Sequence, residues 1–360
     1  MSGPVRLVDC GSVPALRSQT VYHAVAYAMG PDTPDTILLA APSEPYVSLG
    51  FHQDADREVD LARCRGLGLP VIRREVGGGA VYLDGNQLFC QWIFQQGRLS
   101  AVLDDRFALY VRPLVDTYRA LGIEAEYRPI NDIHVGGRKI GGTGAALIGA
   151  ADVVVGSLMF DFDIDLMARV LRVPSEKFRD KVHQSLRDYM TTMRRELGTP
   201  PDRDQVVDAY VEECARTLGR DVEPGSLTRV EEDMARDLDR RFASEEWLFA
   251  SGGLRRSGVK IHEDVVVREA VHKVPGGLIR ALVRLHAGRI DDIALTGDFT
   301  LQPGSLLAAL ERELRGVALE EAAVRGQIER FYGRFSPQSP GVTPADWSEA
   351  VLKLAEAPVA

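Results

Sequence analysis

The sequence predicts an α+β fold in two parts, and three observations carry that expectation. Strand-like and helix-like stretches mix without the regular alternation of a βαβ chain. Pro224-Gly225 breaks the pattern after a helical block, and a second, smaller set of strands and helices follows. The length of 360 residues suits one large or two ordinary domains.

Taken in order, Ser18 is placed to cap a helix running to about Met29, stopped by Gly30-Pro31. Ile37 to Ala41 and Val47 to Leu49 read as short strands between Pro and Gly, and Val59 to Arg65 as a helix. Leu69 to Arg74 reads as a strand, Gly77 to Gly79 as a loop, and Ala80 to Leu83 and Leu88 to Phe94 as further strands. A helix over Arg106 to Leu121 ends at Gly122. Ile133 to Val135 and Arg138 to Ile140 flank Gly136-Gly137, a hairpin signal because both glycines accept positive φ. Val153 to Phe160 is an apolar strand, and helices dominate from Leu166 to Leu218. Beyond the break, a charged helix covers Arg229 to Phe242, and strands are expected over Lys260 to Val274, Leu278 to Leu285 and Ile290 to Leu295. Helices follow over Pro303 to Leu314 and Leu319 to Phe331, then a Pro/Ser-rich flexible stretch from Ser336 to Pro344 and a last short helix.

Composition narrows the class. Hydrophobic residues make up 45% and charged residues 26%, ordinary values for a globular chain. Four cysteines form no Cys-x-x-Cys pair, which fits a reduced, cytoplasmic setting. No apolar stretch is long enough to span a membrane. A net charge of -9 argues against a general nucleic-acid binder, which needs surplus Lys and Arg for phosphates.

Three segments carry the chemistry. In the first, Arg73-Arg74 precede Val76-Gly77-Gly78-Gly79 and Tyr82. Glycines there let backbone approach a ligand, and the arginines offer fixed charge for a carboxylate or phosphate. Alone, the segment reads as a tight turn with two solvated arginines. In the second, Asn131-Asp132 lead into Lys139, followed by Gly141-Gly142-Thr143-Gly144. The glycines leave space beside the ammonium group, where an acyl phosphate would be offset by Lys139. Asn131 and Asp132 offer oxygen ligands of the kind magnesium takes. Alone, this too reads as a surface hairpin with a solvated lysine. The third, Val155-Gly156-Ser157-Leu158 to Asp163, suits a strand lining a pocket, or plain core.

In this order the segments resemble the biotin/lipoate protein ligase superfamily, and its lipoate-protein ligase branch in particular. Pro45 to Gln53 is also similar to that family. The resemblance implies a mixed-sheet catalytic domain over residues 1–222, a linker helix over 223–245, a smaller α+β accessory domain over 246–335 and a tail over 336–360. It implies ATP-dependent activation of lipoate to lipoyl-AMP, then transfer to a lysine of a lipoyl-domain carrier resembling a glycine-cleavage H protein or a dehydrogenase E2. Lys139 matches the family's catalytic lysine. Asp132 matches a magnesium ligand. Arg74, Val76, Gly77, Gly78, Gly79, Tyr82, Asn131, Asp132, Gly141, Gly142 and Thr143 match the acyl and nucleotide pocket. The accessory domain would close over the intermediate. Leu83, Val76, Gly141 and Val155 stand where the family commonly has polar residues.

Two relatives of other activity compete. An octanoyltransferase of the same superfamily needs a cysteine nucleophile, and no cysteine lies between Cys90 and Cys214. Cys90 falls in an apolar strand and reads as core. A biotin ligase carries a Gly-Arg-Gly-Arg-type loop where this chain has Val76 to Gly79. A ligand-binding relative without turnover is the remaining alternative.

Overall fold

A computed structural model describes residues 3–173, 175–254 and 265–358. The chain divides into two compact units. Unit 1 comprises residues 1–49, 58–75 and 80–248, and unit 2 comprises residues 50–57, 76–79 and 249–360. The strand expected over Lys260 to Val274 is seen from Val265 onward, and residues 260–264 lie outside the described residues.

The elements follow in chain order. They run β1 (Val5–Val13), α1 (Ala15–Tyr27), β2 (Thr36–Pro42), β3 (Tyr46–Leu49), α2 (Ala55–Glu58), α3 (Leu61–Gly66), β4 (Val71–Arg73), β5 (Val81–Leu83) and β6 (Gln87–Gln95). Next come α4 (Leu103–Ala120), β7 (Ala125–Arg128), β8 (Asp132–Val135), β9 (Arg138–Ile148), β10 (Ala151–Met159) and α5 (Ile164–Val170). Then come α6 (Glu176–Tyr189), α7 (Met193–Leu197), α8 (Arg203–Leu218), β11 (Val222–Pro224), α9 (Arg229–Phe242) and α10 (Glu245–Leu248). The chain closes with β12 (Val265–Val274), β13 (Gly277–His286), β14 (Arg289–Gly297), α11 (Leu306–Leu314), α12 (Glu321–Phe335) and α13 (Pro344–Leu352).

Unit 1 is built on a mixed eight-stranded sheet in the order β11-β1-β2-β6-β10-β9-β8-β7, with a small sheet β4-β3-β5 beside it. Strands β6 and β10 sit centrally and are buried along most of their length. From α4, Phe107, Tyr110, Leu114 and Tyr118 pack on Trp92, Val154 and Leu158, joined by Val206 and Tyr210 of α8. Helix α1 covers the other face and is backed by α9. Helix α1 starts at Ala15 rather than at Ser18. Its N-cap is Pro14, and the Ser18 hydroxyl donates back to the Ala15 carbonyl inside the helix.

The second half corrects two expectations. Residues 223–245 do not form a linker: β11 pairs in parallel with β1, and α9 belongs to unit 1. Helix α9 starts in a capping box, with Thr228 and Glu231 each accepting from the other's backbone N–H. Residues 336–360 are not a separate tail either: Val342 is buried in the core of unit 2, and the last short helix expected there is α13. Trp347 of α13 is fully buried in the core of unit 2, against Phe299, Phe331 and Ile328. Truncating a buried tryptophan of this kind costs ~3–5 kcal/mol. That core lies between α11–α13 and the antiparallel sheet β12-β13-β14.

Candidate active site

The β8–β9 hairpin turns at Gly136 and Gly137, whose φ angles of 53° and 79° suit the twist of the paired strands. Its register then slips. Val135 faces Arg138 and His134 faces Lys139, but Ile133 faces Gly141 and Asp132 faces Gly142. Ile140 is the extra residue of a bulge. Residues directly opposite in an antiparallel pair share a face, so the bulge brings Asp132, His134, Lys139 and Gly142 to one side of the hairpin. Without the slip, Lys139 and Gly142 would point oppositely.

The side chains confirm the grouping. Lys139 Nζ lies 2.7 Å from Asp132 Oδ1. A Cβ on Gly142 would stand 3.0 Å from that ammonium nitrogen, so the glycine leaves it room. Asp132 Oδ2 accepts from the Tyr189 hydroxyl at 3.3 Å. Next to it, Asn131 and Thr143 clamp each other: Asn131 Nδ2 donates to the Thr143 carbonyl at 2.6 Å, and the Thr143 N–H and hydroxyl donate to the Asn131 carbonyl at 2.9 and 3.1 Å. Gly141 lies on the opposite face, near Ile133 and the Ser157 carbonyl. The Lys139 carbonyl accepts from Thr191 N–H at 2.9 Å, tying the end of α6 to the hairpin. The half-buried Lys139 is therefore held by a carboxylate on one side and glycine on the other.

The two arginines expected to act together have different surroundings. Arg73 is fully buried and donates to the Trp247 and Leu248 carbonyls, while the Trp247 indole donates to the Arg73 carbonyl at 2.9 Å. Its charge is taken up by backbone, which corrects the expectation of a ligand contact there. Arg74 donates to Ser48 Oγ at 3.0 Å and lies among Tyr22 and Tyr46, where burial lowers its pKa. Glu75 meets the Tyr27 hydroxyl at 2.7 Å and Arg241 at 3.3 Å. Tyr82 turns its hydroxyl to Asp84 at 3.0 Å, and burial raises its pKa.

Val76, Gly77, Gly78 and Gly79 belong to unit 2. There the glycines answer a packing need as well as a conformational one. A Cβ on Gly77 would come within 2.9 Å of the Phe299 carbonyl oxygen, and one on Gly50 would strike the Gly78 carbonyl. Gly78 has φ 93°. The site residues named from sequence thus fall in two groups. Arg74, Tyr82, Asn131, Asp132, Lys139, Gly141, Gly142 and Thr143 lie in unit 1, and Val76 to Gly79 lie in unit 2. Sequence reasoning gave no role to Tyr189 or His134, whose signal is visible only through the bulge and through α6.

The thiols are equally informative. Cys64, Cys90 and Cys214 are buried and Cys10 is partly so. Burial pushes Cys10 and Cys64 up to about 11, Cys214 to about 12, and Cys90 well upward. No helix among the described residues is long and apolar enough to cross a membrane.

The chain is similar to several known proteins. Lipoate-protein ligase A subunit 1 of Thermoplasma acidophilum is 31% identical over 214 residues, covering 56% of this chain and 79% of the relative. Octanoyltransferase LipM of Kyrpidia tusciae is 26% identical over 267 residues, covering 67% of this chain and 97% of the relative. A chain from the structural analysis of a bi-partite lipoate protein ligase and its E2 lipoyl domain from Thermoplasma acidophilum superposes with a TM-score of 0.63 at 27% identity. It covers 72% of this chain and 100% of its own length. The model of the lipoyl protein ligase A/B catalytic domain matches residues 16–215, more than half of the chain, and this chain belongs to that family.

Proposed function

We propose that this member of the family is a lipoate-protein ligase that activates lipoate with ATP and passes the acyl group to a lysine of a lipoyl domain. The observation that carries the reading is the Lys139 ammonium, 2.7 Å from Asp132 and bordered by Gly142. In the first step a lipoate carboxylate oxygen attacks the α-phosphorus of ATP and pyrophosphate leaves. In the second, the carrier's ε-amine attacks the acyl carbon, AMP leaves and the amine loses a proton. Both steps gather negative charge on phosphate and acyl oxygens, and the Lys139 ammonium offsets it. In unit 1, Arg74 and Tyr82 are proposed contacts for the acid and the nucleotide. Val76 and the backbone of Gly77 to Gly79, in unit 2, are proposed as binding residues from their match to the family's glycine motif. Asn131, Gly141, Gly142 and Thr143 keep the hairpin in shape at the phosphates.

Magnesium fits this donor set in one way. Among the described residues no three His, Cys, Asp or Glu side chains converge on a metal position. The single carboxylate of Asp132 suits an ion that takes most of its oxygens from phosphate and water. When bound, such an ion would neutralise the triphosphate.

Similarity to an octanoyltransferase makes thiol chemistry the competing reading. That chemistry needs a thiolate, and burial holds all the thiols here in the protonated form. The test is lipoate-dependent pyrophosphate release, followed by the mass of a lipoyl domain. Release and a lipoyl-sized gain are expected, with Lys139→Ala losing both. ATP-independent transfer from an octanoyl thioester would overturn the proposal.

A further inference from the structure

One buried side chain beside this site has no role in the mechanism above. His134 is 1% exposed, and neither ring nitrogen has a hydrogen-bond partner among the described residues. Buried polar groups are nearly always paired, so an orphaned imidazole needs a reason. It shares a face with Asp132 and Lys139 because of the bulge at Ile140. Its Nε2 stands 3.7 Å from Asp132 Oδ2, the same oxygen that meets the Tyr189 hydroxyl. The Tyr189 ring lies edge-on to the imidazole, with centroids 5.6 Å apart, which fixes the ring's tilt.

Asp132 therefore has two sets of neighbours. Oδ1 faces Lys139, and Oδ2 faces Tyr189 and His134. With no substrate, Lys139 and Asp132 neutralise each other. On the proposed function, Lys139 must turn toward an anionic phosphate and loosen its hold on Asp132. The carboxylate then needs other donors on Oδ2, to keep Oδ1 turned toward the magnesium ion that would accompany the phosphates. A rotation of the Asp132 carboxylate closes the 3.7 Å gap to the ~3 Å of an N–H···O bond.

We propose that His134 is a positioning residue for nucleotide binding: its Nε2–H takes over Asp132 when Lys139 turns to the triphosphate. Tyr189 assists from the same side. The orphaned nitrogen is then the vacant half of a bond formed only in the nucleotide complex. This rests on the proposed function, and the experiment separates the two.

Binding of ATP with magnesium and of lipoate to the full chain is measured by calorimetry, beside the thermal midpoint of each variant. His134→Phe is expected to weaken ATP about tenfold, as loss of one hydrogen bond to a charged group does. Lipoate affinity should stay within about twofold, and the midpoint should hold or rise because an unpaired polar ring has been removed. His134→Gln keeps a donor and should recover ATP affinity to within about threefold of wild type. Unchanged ATP affinity in His134→Phe overturns the inference, as does parallel weakening of lipoate. If His134→Phe does not fold, Tyr189→Phe at its exposed position carries the test: about threefold weaker ATP supports the inference and wild-type affinity overturns it. A wild-type chain that binds no ATP overturns the functional reading, and this inference with it.

Discussion

Gly142→Ala is the most economical probe of the site. The new Cβ would lie 3.0 Å from Lys139 Nζ and 3.1 Å from Lys139 Cε, and 3.6 Å from Asp132 Oδ1. Comfortable non-bonded contacts sit at ~3.5–4.0 Å, so the end of the lysine must retreat by roughly 0.5–1 Å. The atoms displaced are the far end of a flexible side chain, and Gly142 does not need a positive φ. The fold should therefore tolerate the change, and removal of a strand glycine stabilises by ~0.5–1 kcal/mol. Activity should not tolerate it, because a misplacement of ~1 Å at a reacting centre costs up to ~10²-fold. A ten- to hundredfold fall in kcat/KM is expected, about 1.4–2.7 kcal/mol of transition-state stabilisation. Lipoate-dependent pyrophosphate release reads the rate, and the thermal midpoint controls for folding. A variant with wild-type kcat/KM would show that the Lys139 ammonium stands away from the chemistry.

Three further perturbations address other links in the argument. Gly77→Ala places a Cβ against the backbone of Phe299 and Thr300, which cannot swing aside, and should destabilise by ~1–3 kcal/mol in denaturant titrations; an unchanged midpoint would refute the close packing. Trp247→Ala removes the stack on Phe242, the Arg241 cation at 4.2 Å and the hydrogen bond to Arg73, and should cost ~3–5 kcal/mol by the same measurement. His23 is buried, with Nδ1 2.6 Å from the Gln19 carbonyl and Nε2 accepting from Glu75 N–H at 3.2 Å, and burial lowers its pKa to about 3. The unfolded chain takes up this proton first, so the stability present above pH ~6.5 drains away as pH falls toward 3, at up to ~1.4 kcal/mol per unit. His23→Gln should flatten that slope, and an acid-unfolding curve as steep as wild type would refute the assignment.

Much of this was legible from sequence because local chemistry sets it. Gly136-Gly137 specify the hairpin, Gly122 ends α4, and the run Arg229 to Phe242 forms the helix expected of it. The α+β class and the family followed from such segments. What stayed hidden depends on partners distant in the chain. Strand β1 carries charged and small residues such as Arg6, Asp9 and Gly11, and becomes a strand by pairing with β2 and β11. The three-residue β11 contains Pro224, a turn signal that an edge strand can accept. The bulge at Ile140 leaves no mark on periodicity, yet it decides which residues share a face with Lys139. Arg73 and Arg74 are indistinguishable as letters, and only the carbonyls of Trp247 and Leu248 reveal that one is structural.

The assignment of residues 50–57 and 76–79 to unit 2 has a topological consequence. The chain passes between the units five times, at 49/50, 57/58, 75/76, 79/80 and 248/249. Splitting the gene after codon 248 would not yield two whole modules. The downstream fragment would lack His52, whose ring stacks on Phe299 at 5.1 Å, and Gly77, which leaves room for the backbone of Phe299 and Thr300. Segments synthesised early must wait for partners made more than two hundred residues later, so unit 2 can be completed only after nearly the whole chain has been translated.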